Sequence, residues 1–252
     1  MKKAMNKGNG QTYTVAEYIQ QFGPKHDARM QLRVRPQMHC YACAHDAHTV
    51  AENFPERGHW AHDGSAARPW CPLSQPAARR YELLPNVAED IARGAALRAS
   101  FMRRWQQHWG MILAIAKVGE IHQFIEFVHK ADRDRFWHRN GLSEWLIPYI
   151  FLATADHAPP KSAKGAALRP EWLRFWFDSR IAHLDDLWIR FNGDFRFMSA
   201  IYENPARGAE PNASHLIDFS PISVDPNWLD KTFRTPNAYQ LGAMRAAFGD
   251  AA

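Results

Sequence analysis

Beyond Pro72 this 252-residue chain contains no cysteine, and its three cysteines, Cys40, Cys43 and Cys71, all fall in one 32-residue window. An odd, locally confined set does not build a disulfide scaffold. Long apolar runs are also missing. The longest largely apolar stretch, Trp145 to Ala155, is eleven residues and contains Pro148, far short of the roughly 20 residues that a spanning helix needs. The opening MKKAMNKGNGQTYT carries lysines but no apolar signal core. Together these absences lead us to expect a soluble, cytoplasmic protein without a membrane partner. Neither a G-x4-G-K-[S/T] phosphate loop nor a G-x-S-x-G nucleophile elbow occurs, which removes two large enzyme classes.

What is present excludes a disordered chain: 46% of residues are hydrophobic and 13% aromatic, with ten tryptophans. The net charge of +5 is unevenly placed. Residues 1–110 carry 15 Lys/Arg against 9 Asp/Glu, and residues 111–252 carry 16 against 17. A basic half on a neutral body suggests a polyanionic partner, nucleic acid first, with ordinary solubilising charge as the other reading. The candidate phosphate contacts are Arg33, Arg35, Arg79, Arg80, Arg98, Arg103 and Arg104.

The cysteine window is spaced like a metal site. Cys40-x2-Cys43 can clamp an ion from one tight turn, and a distant His and Cys complete a tetrahedron. The preferred set is Cys40, Cys43, His62 and Cys71. His59 is the substitute, since in an extended segment His59 and His62 face opposite sides. Four protein ligands leave no open position, so the spacing predicts structural Zn2+. Asp63 is a candidate partner for a zinc-bound imidazole. Clustered apolar thiols are the alternative.

The remaining pattern reads as an α+β, mostly helical protein, with a zinc-ribbon-like module on a helical body and a small C-terminal β element. Residues 1–78 form a basic N-terminal segment and the zinc module, with a flexible start over residues 1–11. Residues 79–158 form a helical domain, and 159–252 add a helix and short strands able to pack on it. Thr14 with Glu17 predicts a capping box opening a helix to Phe22. Alternation over Gln31–Arg35 predicts a strand entering the Cys40 turn. Apolar spacing predicts helices from Asn86 through Ile112, over Glu120–Lys130 and Ser143–Ala155, and, after a linker at Pro159–Gly165, an aromatic helix from Trp172 to Leu187. Phe195–Tyr202 and His215–Val224 read as strands and Asn237–Phe248 as a closing helix.

A second chemical candidate is the stripe His122, Glu126 and His129, at i, i+4 and i+7 of one helix. Two imidazoles and a carboxylate in a row could bind a metal or move protons, although the same stripe is the ordinary polar edge of an amphipathic helix. The pairs His26-Asp27, His45-Asp46 and His62-Asp63 resemble phosphohydrolase dyads, but two of them lie in the cysteine-rich loops.

Over about residues 30–75, the C-x2-C turn followed by His59-Trp60-Ala61-His62 and Cys71 resembles the N-terminal zinc-finger-like segment of the competence CoiA-like family. The usual form there is C-x2-C followed by HFAH. The resemblance implies a bacterial or mobile-element setting close to DNA or RNA, and the assembly we expect is one encoded by a mobile element or an antiviral-defence system. That family continues into a nuclease domain needing E-x-K, and no Asp or Glu in this chain has Lys two positions later, so nuclease activity does not carry over. The expected function is therefore non-enzymatic nucleic-acid binding within a nucleoprotein assembly. A zinc-held protein–protein adaptor or inhibitor, and a divergent metal-dependent nuclease or phosphohydrolase using His122, Glu126 and His129, are the alternatives.

Overall fold

The computed structural model describes residues 1–54, 56–62, 70–73, 75–76, 81, 87–116, 120–160, 169–205 and 209–249. The chain divides into two compact units, Met1–Ser74 and Gln75–Ala252. Among the described residues no helix is long and apolar enough to cross a membrane.

The first unit is a five-stranded antiparallel sheet with one helix. Strands β1 (Lys3–Asn6), β2 (Thr12–Thr14), β3 (Met38–His39), β4 (Asp46–Val50) and β5 (His59–His62) lie in the order β2-β1-β3-β4-β5. The start is a strand rather than flexible, because Ala4 and Asn6 alternate into the interior while β2 and β3 pair with either edge. Helix α1 (Val15–Phe22) opens on the expected capping box: the Thr14 hydroxyl accepts from the Glu17 N–H, and the Glu17 carboxylate accepts from the Thr14 N–H. Its core is Ala4, Tyr13, Val15, Tyr18, Met38 and Trp60. The strand expected over Gln31–Arg35 does not form beyond a single bridge between His26 and Leu32. Leu32 and Val34 are exposed, so the alternation has no buried face to hold it.

The second unit contains α2 (Ile91–Arg103), α3 (Trp105–Ala116), α4 (Ile121–Arg133), α5 (Ile147–Ala153), a short α6 (Asp186–Ile189) and α7 (Ala238–Phe248). Strands β6 (Asp156–His157), β7 (Trp172–Phe177), β8 (Phe197–Tyr202) and β9 (Leu216–Ile222) form an antiparallel sheet in sequence order. Every residue of α5 is buried, the signature of a helix covered all round. Tyr149 meets Phe197 of the sheet, while Phe151 meets Phe101, Phe124 and Phe127 of the surrounding helices.

Two antiparallel sheets make this a mixed α+β fold rather than a mostly helical one. The clearest correction is Trp172–Phe177, expected as the start of an aromatic helix and found as β7. A continuous aromatic run satisfies helical spacing by coincidence. Here Leu173 to Phe177 are all buried, and pairing with β6 and β8 satisfies the backbone. The helix expected from Asn86 is described from Ile91, on an Asp90 cap, and breaks at Arg104 into α2 and α3. Its glycines are contact points: a Cβ on Gly94 would lie 2.3 Å from His138 Cδ2, and one on Gly110 would lie 2.4 Å from Phe233 Cβ. Residues 161–168, most of the expected linker, lie outside the described residues.

Candidate metal centre

Cys40 follows β3 and Cys43 ends the turn leading to β4. The turn is closed by backbone bonds from Ala44 N–H to the Cys40 carbonyl (2.8 Å) and from Cys40 N–H to the His45 carbonyl (2.8 Å). Ala44 takes a left-handed φ of 60°, where glycine is the usual choice. The Ala42 N–H donates to Cys40 Sγ at 3.4 Å, placing a backbone dipole on a sulfur that must carry negative charge to bind metal.

Strand β5 delivers the histidine. Trp60 is fully buried, donates its indole N–H to the Tyr13 carbonyl (2.9 Å) and packs edge-on to Tyr18. Residues two apart share a face of a strand, so the phase that buries Trp60 also brings His62 inward. His62 Nε2 lies 3.3 Å from Cys43 Sγ. His59 is exposed, with Nδ1 at 2.9 Å from the Arg57 carbonyl, and does not join the cluster.

Cys71 closes the group, its Sγ 3.8 Å from Cys40 Sγ. One donor atom from each of Cys40, Cys43, His62 and Cys71 lies within 4.8 Å of all the others, and no disulfide forms. A tetrahedral site with metal–sulfur bonds of about 2.3 Å has sulfur–sulfur edges of about 3.8 Å and sulfur–nitrogen edges of about 3.6 Å. The 3.8 Å Cys40–Cys71 edge matches that geometry, and the 3.3 Å Cys43–His62 edge lies about 0.3 Å inside it. The thiols also make poor company for one another. Hydrogen bonds from Cys43 and Cys71 hold Cys40 well below the ordinary thiol range. In turn, Cys40 pushes Cys43 up to about 12 and raises Cys71 further. The cluster thus accommodates one thiolate readily and resists the next, the condition that a cation among the sulfurs relieves. These four residues can hold a metal ion. Asp63, the expected partner of the imidazole, lies outside the described residues.

The arginines do not converge. Arg35 is riveted to Glu52 (2.7 Å), with both side chains nearly buried, and its guanidinium lies 5.0 Å from the Tyr18 ring centroid. Arg98 binds Asp132 through two bonds of 2.6 and 2.7 Å. Arg104 contacts Glu144 at 3.2 Å and donates to Ser100 Oγ at 2.8 Å. Only Arg33 and Arg103 of the seven are exposed without an ion pair among the described residues. Arg79 and Arg80 lie outside those residues. None of the carboxylate partners was legible locally, because each lies far along the chain.

His122, Glu126 and His129 are all exposed on α4, which packs beside α7. His122 Nε2 is 2.7 Å from the Tyr239 hydroxyl, and the His129 ring lies 4.8 Å from that of Phe248. Among the described residues the cysteine–histidine group is the one cluster suited to a metal.

Comparison with protein-family models, with curated proteins and with solved structures gives no match.

Proposed function

We propose that the first unit is a zinc-stabilised module and that the protein binds nucleic acid. The observation that carries the metal reading is the convergence of three thiols and one imidazole on a buried point. Soft sulfur donors with one imidazole favour Zn2+ over the harder cations. With all positions taken by protein, the ion would tie β3, β4, β5 and Cys71 together rather than activate water. Structural zinc contributes about 10–16 kcal/mol of apparent binding energy, comparable with the net stability of a whole domain.

The nucleic-acid part rests on the basic excess of residues 1–110 and on the likeness of the cysteine segment to the CoiA-like family. Exposed Lys2, Lys3, Arg29 and Arg33 supply cationic groups on the first unit. A second reading, a protein–protein adaptor, draws on Met30, Leu32 and Val34, which are 75%, 69% and 103% exposed along one extended segment. Purified protein should contain about one zinc per chain, and its affinity for DNA or RNA should fall steeply with salt. Equal folding of chelated and metal-loaded protein would refute structural zinc. Absence of polynucleotide binding at low salt would favour the adaptor.

A further inference from the structure

We propose that a cleft in the second unit binds one nucleotide, an aromatic base carrying a phosphate. The cleft measures about 520 Å³ and is walled by Trp145, Trp188 and Phe195, with Ser143, Asn192 and Arg196 supplying polar groups. Its size falls within the roughly 300–1,000 Å³ of small-ligand sites.

The aromatic wall is built by unusual backbone. Gly141 has φ +94°, and a Cβ there would come within 2.4 Å of Trp188 Cδ1. Trp188 is fixed against that glycine by its indole N–H, which donates to the Asn140 carbonyl at 2.9 Å. Across the cleft, Asn192 and Gly193 take consecutive left-handed φ values of 40° and 91°. A Cβ on Gly193 would touch Trp145 Cζ2 at 3.8 Å. Trp145 and Phe195 lie 4° from parallel, centroids 6.2 Å apart. Two backbone segments that only glycine or asparagine tolerates readily thus seat two tryptophans at one opening.

Charge selects the ligand. Arg196 is exposed and makes no ion pair among the described residues, and the Ser143 hydroxyl and Asn192 amide have no side-chain partner there. Among the described residues no carboxylate lines the cleft. Of the acids close in sequence to lining residues, Asp178 is engaged by Arg180 and the Arg196 N–H, Asp225 by Lys231, and Glu144 by His108 and Arg104, while Asp194, between Gly193 and Phe195, is 91% exposed and lies 3.8 Å from Arg180. Aromatic faces stack any base, and an exposed guanidinium outside any ion pair, beside neutral donors, suits phosphate. A proline-rich peptide would use the rings and leave Arg196 unmatched.

The strand form of this proposal rests on the nucleic-acid reading above, whereas a free mononucleotide offers the same chemistry. The test uses metal-loaded full-length protein, a labelled single strand of about eight nucleotides followed by anisotropy, and AMP followed by calorimetry. Arg196→Glu should weaken binding at least about tenfold without changing the melting temperature, and Trp145→Leu at least about fivefold. AMP binding that competes with the strand identifies a nucleotide site, and strand binding alone identifies one position along a polymer. If both cleft variants bind like wild type while Arg33→Glu does not, the cleft proposal falls and the nucleic-acid reading survives. If wild type binds neither AMP nor strand, or binds only a proline-rich peptide, the cleft proposal falls, and the nucleic-acid reading falls with it only if duplex DNA and longer RNA are not bound at low salt either. Should Trp145→Leu fail to fold, the exposed Arg196 carries the test.

Discussion

Trp60 and His62 share one side of β5, so the side chain that fills the core of the first unit also sets the phase of the metal ligand. Trp60 is buried against Tyr18, and His62 reaches Cys43 two residues further on. His62→Ala should therefore lower metal affinity at least about tenfold, while His59→Ala changes it little. Trp60→Ala should destabilise the unit by about 3–5 kcal/mol and loosen the metal with it. Chelator competition on each variant, alongside denaturant unfolding, checks the pattern. Equal loss in His59→Ala and His62→Ala would contradict the assignment.

Acid should weaken the second unit. His157 is buried, with Nε2 3.1 Å from the Leu152 carbonyl, and burial lowers its pKa from 6.5 to about 4. Burial also lowers that of His108, against the raising effect of Glu144. A depressed histidine leaves stability intact above the unfolded value, about 6.5. Below it the unfolded chain takes up the proton first, so stability is lost as pH falls toward about 4. For His157 the loss over that window is about 3 kcal/mol at about 1.4 kcal/mol per pH unit. Unfolding free energies at several pH values should show this slope, and His157→Gln should flatten it.

Arg174 lies in the middle of β7 directly opposite Asp156, with its side chain 1% exposed. It also bonds the Pro211 carbonyl at 3.2 Å and sits 5.1 Å from the Tyr202 ring centroid. Asp156→Ala strands a buried guanidinium and should cost about 3–5 kcal/mol. Replacing both partners with apolar residues should recover much of that. A double-mutant cycle measures the coupling, and additive single effects would show that the pair is energetically independent.

The arginines should separate by function. Arg35→Ala and Arg98→Ala remove ion pairs to Glu52 and Asp132, so each should lower thermal stability. Arg33→Ala or Arg103→Ala should leave stability within about 0.5 kcal/mol. If either contacts phosphate, each should flatten the dependence of log affinity on log salt by up to about 0.9 for duplex DNA. An unchanged slope in both variants would remove them from the interface.

Local chemistry was readable in the sequence. The Thr14–Glu17 box fixes the start of α1, Asn237 caps α7, and the Cys40-x2-Cys43 spacing with His62 and Cys71 anticipates the cluster. Each depends on residues a turn apart or on ligand types that serve little other purpose. Of His59 and His62 it is the preferred His62 that joins the cysteines, and the pairing of β5 with β4, which places Trp60 in the core, is what brings it there. Tertiary structure alone decided the rest. Trp172–Phe177 became a strand because two neighbours were there to pair with it, while Gln31–Arg35 did not because no layer among the described residues covers Leu32 and Val34. The partners of Arg35 and Arg98 lie 17 and 34 residues away along the chain. A charge pattern read along a sequence counts cations, whereas only the folded chain decides which of them already has a carboxylate.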